Sequence, residues 1–158
     1  MSLAKTFYLL KDAELRASEL YALIGLSVAI TQPELADLFS SLAEDEKLHA
    51  RQIEMMHTIF LQSPDSFLDG PDAEKTIGDF VQNVETIRNY FNQHFGKMLP
   101  ADLIGLALDL EKHLVESHSA FFINIQDDSI KKLFAGLHAG NEAHIRKLEL
   151  FDRIGSGN

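Results

Sequence analysis

A glutamate and a histidine three residues apart on a helix face nearly the same way, and this chain carries that spacing once intact and once altered. Glu46-x-x-His49 lies within Leu38–Arg51, and Asn141-x-x-His144 lies within Leu133–Arg146. The two segments align without gaps, matching Leu38 with Leu133, Phe39 with Phe134, Leu42 with Leu137 and His49 with His144. Arg51 with Arg146 and Glu54 with Glu149 continue the register. Residues i and i+3 of a helix sit within ~60° of each other and ~4.5 Å apart along the axis, so an oxygen and an imidazole nitrogen can converge on one point. That donor pair suits a divalent metal ion. The second copy keeps the spacing but has an amide where the first has a carboxylate.

Holding two divalent ions takes further carboxylates. Glu14 and Glu111 are placed to supply them. Each stands on an apolar helix face, Glu14 among Leu10, Ala17, Ser18 and Ile24, and Glu111 among Ala107, Leu108, Leu114 and Val115. A carboxylate there is costly unless it is paired or bound to a metal. The two surroundings also align with each other: Tyr21 follows Glu14 by seven residues, and His118 follows Glu111 by seven. Di-iron carboxylate bundles use one Glu from each of two helices and Glu-x-x-His from the other two. This chain supplies all of that set except the second Glu-x-x-His glutamate, where Asn141 stands. Tyr21, His118 and His138 lie where they could hydrogen-bond the ligands. The plainer expectation is aromatic packing for Tyr21 and a hydrogen-bonded core position for His118 and His138. His57, His94 and His113 belong to no cluster and are expected to be exposed.

The elements that must position these residues are helices. Apolar residues recur at helical intervals over about 4–30, 33–61, 100–125 and 128–153. A further helix is expected near 72–95, with Phe80, Val84, Ile87, Phe91 and Phe95 on one side and Gly96 placed to end it. Thr31-Gln32-Pro33-Glu34 has capping-box spacing, and Gln126-Asp127-Asp128-Ser129 supplies a cap before the last helix. Gly70-Pro71-Asp72 and Leu99-Pro100-Ala101-Asp102 open further segments. The expected fold is all-α, a single domain over 1–158: a helix pair at 4–61, a crossover at 62–98 containing the additional helix, and a second pair at 100–153. Two hairpins joined by one long crossover is the connectivity of ferritin-like four-helix bundles.

Composition narrows the function classes. The 158 residues carry a formal net charge of −10, which disfavours nucleic acid and anionic membrane surfaces as partners. There is no cysteine, so no disulfide, zinc-thiolate, iron–sulfur or rubredoxin-type site can form within the chain. The apolar run Leu20–Ile30 is about half a membrane span, and the expectation is a soluble, cytoplasmic protein. The apolar residues Phe7, Tyr8, Leu9, Leu10, Leu20, Leu23, Ile24 and Leu26 of the first helix exceed what one face needs, so a homodimer is expected.

The segments Ala13-Glu14-Leu15-Arg16-Ala17-Ser18-Glu19-Leu20-Tyr21, Leu42-Ala43-Glu44-Asp45-Glu46-Lys47-Leu48-His49 and Leu108-Asp109-Leu110-Glu111-Lys112 resemble rubrerythrin-like members of the ferritin-like superfamily. The likeness covers most of the chain outside the crossover. It implies a carboxylate-bridged di-iron centre, with zinc or manganese as alternative metals, reacting with peroxide or dioxygen or oxidising Fe(II). Carried over, Glu14 and Glu111 are terminal carboxylates, Glu46 bridges, and His49 and His144 are terminal nitrogen ligands. Asn141 stands in the place of the second bridging glutamate. Two divalent ions bring four positive charges against three glutamates, so the ion nearer His49 is expected to be held better than its partner, whose site is weak or empty. Glu44 or Glu142 swinging inward is one remedy. Many rubrerythrins carry their electron-donating iron domain in the same chain; here a separate donor protein is implied. The rival expectations are a non-catalytic metal-handling bundle and a structural helical module with a degenerate site.

Overall fold

A computed structural model describes residues 3–67, 73–122, 125 and 127–156. They form an all-α chain: α1 (Leu3–Val28), α2 (Pro33–Gln62), α3 (Ala73–His94), α4 (Pro100–Phe122) and α5 (Asp128–Ser156). Short 3-10 turns at Pro64–Ser66 and Phe95–Lys97 lie before and after α3. Extended pairing among the described residues amounts to one antiparallel bridge, Phe67 with Ile125.

Local chemistry sets the helix ends. Asp127 Oδ1 accepts hydrogen bonds from the Ser129 and Ile130 N–H groups at 2.8 and 3.1 Å, capping α5 as expected. Asp102 reaches back to the Leu99 N–H at 2.7 Å, just ahead of Pro100, and so closes the first turn of α4. The box expected at Thr31 does not form. Gln32 takes the cap position without a side-chain bond, which leaves Thr31 one residue too early, and its hydroxyl turns back to the Val28 carbonyl at 3.4 Å. Gly96 does not end α3 through a left-handed cap, since no described glycine has positive φ. The helix tightens into the 3-10 turn instead. That turn carries Phe95 off the buried face, to 51% exposure, while Phe80, Val84, Ile87 and Phe91 stay buried. The Gly70-Pro71-Asp72 signal lies outside the described residues.

Cross-helix contacts give the directions. Lys11 meets Glu54, Ser18 bonds the Ala43 carbonyl, and Gly25 lies against Ala36, so α1 and α2 are antiparallel. Glu111 meets His144 and His118 meets Phe134, so α4 and α5 are antiparallel too. Tyr21 bonds Glu111 while Glu14 approaches His118, which sets α1 against α4 in the same sense. It follows that α2 and α4 run in one direction, and the chain must return the length of the bundle between them. The 22-residue α3 does this, spanning roughly 33 Å at 1.5 Å per residue. It lies parallel to α1 through the Arg16–Glu85 and Arg88–Glu19 ion pairs and also packs on α4.

The interior is divided. One apolar cluster gathers Leu20, Ile24, Leu35, Phe39, Phe91, Leu103 and Leu148 near one end. A second gathers Phe7, Ile53, Met56, Phe67, Ile125, Phe134 and Leu137 near the other. On α1, α2 and α5 the candidate ligands fall between residues of the two clusters, while on α4 Glu111 lies between Leu110 and Leu114 of the first. Helix α1 is consumed by this packing: Phe7, Leu10, Leu20 and Ile24 are buried, and Leu9 and Leu23 are packed against the clusters. Only Tyr8 and Leu26 of the eight residues behind the dimer expectation remain exposed, because α3 covers a second side of α1. No described helix is long and apolar enough to cross a membrane.

Candidate metal centre

Glu14, Glu46, Glu111, His118 and Asn141 are 0% exposed, His144 is 3% and His49 is 8%. Helical phase explains the convergence: Glu46 and His49 are on the α2 face that carries Leu42 and Ile53 inward, and Asn141 and His144 are on the α5 face that carries Leu137 and Leu148.

Glu46 is the centre of an approximate two-fold arrangement. Its Oε2 lies 2.7 Å from His49 Nδ1, and its Oε1 lies 3.0 Å from His144 Nδ1. Beyond each imidazole stands one more carboxylate: Glu14 Oε2 at 3.9 Å from His49 Nδ1, and Glu111 Oε2 at 3.4 Å from His144 Nδ1. The two imidazole rings face each other at 5.4 Å and 29°. Tyr21 donates to Glu111 Oε1 at 2.6 Å while also packing on Phe39. At the related position His118 Nε2 comes to 2.6 Å from Glu14 Oε1.

The symmetry fails at three places: Tyr21 against His118, Glu46 against Asn141, and the residue before each of the latter two. Asn141 holds the repeat position of Glu46 and is fully buried, 3.4 Å from His118. At the position before, Asp45 on α2 aligns with Gly140 on α5. Asp45 Oδ2 lies 3.3 Å from His144 Nε2 and is itself held by Lys147 at 3.2 Å. His49 Nε2 instead faces Gly140, where a Cβ would lie 2.5 Å from that nitrogen. Asp45 read alone is an ordinary acidic residue; the mismatch with Gly140 in the repeat was the available signal. His138 is not part of the cluster. It is half-buried and lies 3.7 Å from Glu142, because its position is rotated to the edge of the α5 inner face. Glu44 and Glu142 are exposed and cannot replace the missing carboxylate in this arrangement; Glu44 pairs with Lys47. His57 and His94 are half-buried rather than exposed, stacked on Phe7 and Tyr90, while His113 is exposed.

Electrostatics follow from crowding three carboxylates away from water. Burial, then the charges of Glu46 and Glu111, push the Glu14 carboxyl well above the usual range. Burial and the Glu46 charge push Glu111 up to about 8. Burial also acts to raise Glu46, but hydrogen bonds from His144 and His49 outweigh it, and the net shift is downward. Burial works against a charged His144, yet the carboxylates of Glu111 and Glu46 beside it prevail and raise it to about 10. Burial first, helped by the charges of His49 and His138 and opposed by that of Glu46, holds His118 down to about 3. In the metal-free protein, protons on Glu14, Glu111 and His144 therefore neutralise a cluster that has one low carboxylate at its centre.

The donors fit a cation. Glu46, His49 and His144 could hold a metal ion, their ligand atoms all lying within 4.8 Å of one another. Around them Glu14 Oε1 and Oε2, Glu111 Oε2, His118 Nε2 and Asn141 Oδ1 are buried without a hydrogen-bond partner. Native interiors rarely leave such atoms unmatched, and a bound ion is one of the few things that matches them. No family model matches the chain, and no curated protein or solved structure matches it significantly.

Proposed function

We propose that the chain is a ferritin-like metal protein of the rubrerythrin type, holding two ions, most simply iron, and acting as a non-haem oxidoreductase on peroxide, dioxygen or Fe(II). The observation that carries this reading is the set of three fully buried glutamates that converge with the Nδ1 atoms of His49 and His144, two of them, Glu14 and Glu111, with oxygens that lack a hydrogen-bond partner. Glu46, with one oxygen toward each imidazole, would bridge. Glu14 with His49, and Glu111 with His144, would complete the two halves. The hairpin–crossover–hairpin order of the helices supports the ferritin-like assignment.

Bound iron would supply the electrons that reduce an O–O bond. The chain's own residues do the rest. Glu14, Glu111 and His144 give up their protons as the ions enter, and Tyr21 holds Glu111 in place through its 2.6 Å hydrogen bond. Asp45 holds His144 by its far nitrogen, the orientation that presents Nδ1 to an ion. The two apolar clusters exclude water from above and below. His49 is the most exposed member of the cluster, so a substrate that reaches it must be small. With no cysteine-bound iron in the chain, the electrons would come from a separate donor protein.

The neutral Asn141 favours a second reading, in which the bundle binds and delivers metal without turnover. Anaerobic Fe(II) loading followed by peroxide separates the two. An enzyme oxidises its bound Fe(II) faster than free Fe(II) and develops ferric charge-transfer absorption; a carrier binds the iron and does neither. Protein that holds no metal above trace after iron-replete expression overturns both readings.

A further inference from the structure

Two of the positions at which the halves of the cluster differ touch each other. Where α1 presents Tyr21, α4 presents His118; where α2 presents Glu46, α5 presents Asn141. Asn141 Nδ2 and His118 Nδ1 are 3.4 Å apart, both residues fully buried.

The two aromatic positions behave differently. The Tyr21 hydroxyl makes a hydrogen bond with Glu111. His118 Nε2 is just as near to Glu14 Oε1, at 2.6 Å, but the two atoms are not aligned for a hydrogen bond, and neither has any other hydrogen-bond partner. A cation seated beside both atoms would match two buried polar groups at once. Ligands bonded at ~2.0–2.2 Å to one ion are roughly 3 Å apart at right angles and roughly 3.4 Å apart at the tetrahedral angle, so an ion taken between these two atoms would part them by a few tenths of an ångström or more. Glu14 Oε2, also unmatched, faces His49 in the same half.

We propose that His118 is a metal ligand through Nε2, completing the half-site of Glu14, His49 and Glu46, and that Asn141 serves His118 rather than the ion. This rests on reading the cluster as a metal centre. A histidine that binds metal through one nitrogen needs an acceptor for the N–H of the other. With the amide turned so that Oδ1 faces His118 Nδ1, Asn141 is that acceptor; oxygen and nitrogen of a side-chain amide differ only by this rotation. The fourth carboxylate has thus been exchanged for a neutral nitrogen ligand on the neighbouring helix. The exchange keeps the donor count and leaves one positive charge for an anionic substrate or hydroxide to balance.

The test uses the full chain with isotopically labelled histidine, loaded with the spin-half isotope of cadmium. Bonded ring nitrogens show scalar coupling to the ion. Coupling is expected at His118 Nε2 as well as at Nδ1 of His49 and His144, with two ions per chain. His118→Tyr, which copies the Tyr21 position, should lower the stoichiometry from two to one. His118→Tyr combined with Asn141→Glu rebuilds the symmetric pattern and should restore two. Cadmium coupled to His49 and His144 but not to His118 overturns the His118 assignment and leaves the metal centre standing. So does a His118→Tyr variant that folds, by its helical circular dichroism, and still binds two ions. A parent chain that binds no cadmium overturns both together.

Discussion

Replacing Glu14 by methionine should make the protein more stable without metal and less stable with it. Glu14 is fully buried, both its oxygens lack hydrogen-bond partners, and burial beside Glu46 and Glu111 drives its carboxyl toward the protonated form. Each buried, unsatisfied polar group costs about 1–3 kcal/mol. Methionine fills a similar volume with no polar atom to satisfy, so Glu14→Met should recover about 1–3 kcal/mol in chelator. For a domain of this size that is a rise in Tm of roughly 2–12 °C. In excess metal the order should reverse. A ligand at about 100 times its Kd stabilises the parent by about 2.7 kcal/mol, and a variant short of one carboxylate loses much of that. The assay is thermal unfolding by circular dichroism of both proteins, in chelator and then in saturating Zn(II). If Glu14→Met is the less stable protein in chelator, the carboxyl is satisfied as it stands and the argument from unmatched atoms fails. If the order is the same in both conditions, Glu14 has no part in binding metal.

Gly140→Ala puts a methyl group 2.5 Å from His49 Nε2 and 2.9 Å from Cε1. Helix propensity favours alanine by about 1 kcal/mol, but the overlap should cost about 1–3 kcal/mol and displace His49. The check is a fall in both Tm and metal affinity; a higher Tm with unchanged affinity refutes the close approach. Asp45→Asn should weaken metal binding about 10–100-fold by loosening His144, measured by competition against a chromophoric chelator, whereas an unchanged Kd would remove Asp45 from the site. The protons on the cluster fix a pH dependence. Glu111, raised from 4.5 to about 8, and His144, raised from 6.5 to about 10, hold more protons folded than unfolded. Their contribution to metal-free stability is complete below the unfolded values and is lost as pH rises through the folded ones, so Tm in chelator should fall from about pH 5 to 8. Metal binding over the same range should release protons and tighten with pH, visible as binding heats that change with the buffer's ionisation enthalpy. Buffer-independent heats would count against protonated ligands.

Much of the site could be read before any fold was known, because helical phase is a local property. Glu46 with His49, and Asn141 with His144, lie on common faces for reasons contained within four residues, and the gapless repeat placed them at equal depth on two helices. Asp127 and Asp102 likewise act on amide groups two or three residues away, so their caps were legible, whereas Thr31 missed its role by one position. The carboxylates Glu14 and Glu111 stood out because apolar stripes rarely contain them. What was not legible depended on which helix faces which. Asp45 meets His144, and Gly140 makes room for His49, only where α2 crosses α5. His138 was as plausible a neighbour of the ligands as His118, but a rotation of a fraction of a turn leaves it half-buried beside Glu142.

By itself, then, the sequence determined the helices, the two copies of the x-x-His register and the position, Asn141, where the second copy lacks the carboxylate. All of these follow from periodicity and side-chain type. Only the tertiary structure decided the pairings across the centre. Glu46 turns one oxygen to each histidine, Tyr21 reaches over to the carboxylate of the opposite half, and His118 lies against both Glu14 and Asn141. The physical reason is that a contact between helices depends on their direction and axial offset, set here by the return of α3 along the bundle and by packing at both ends. No local pattern encodes either quantity.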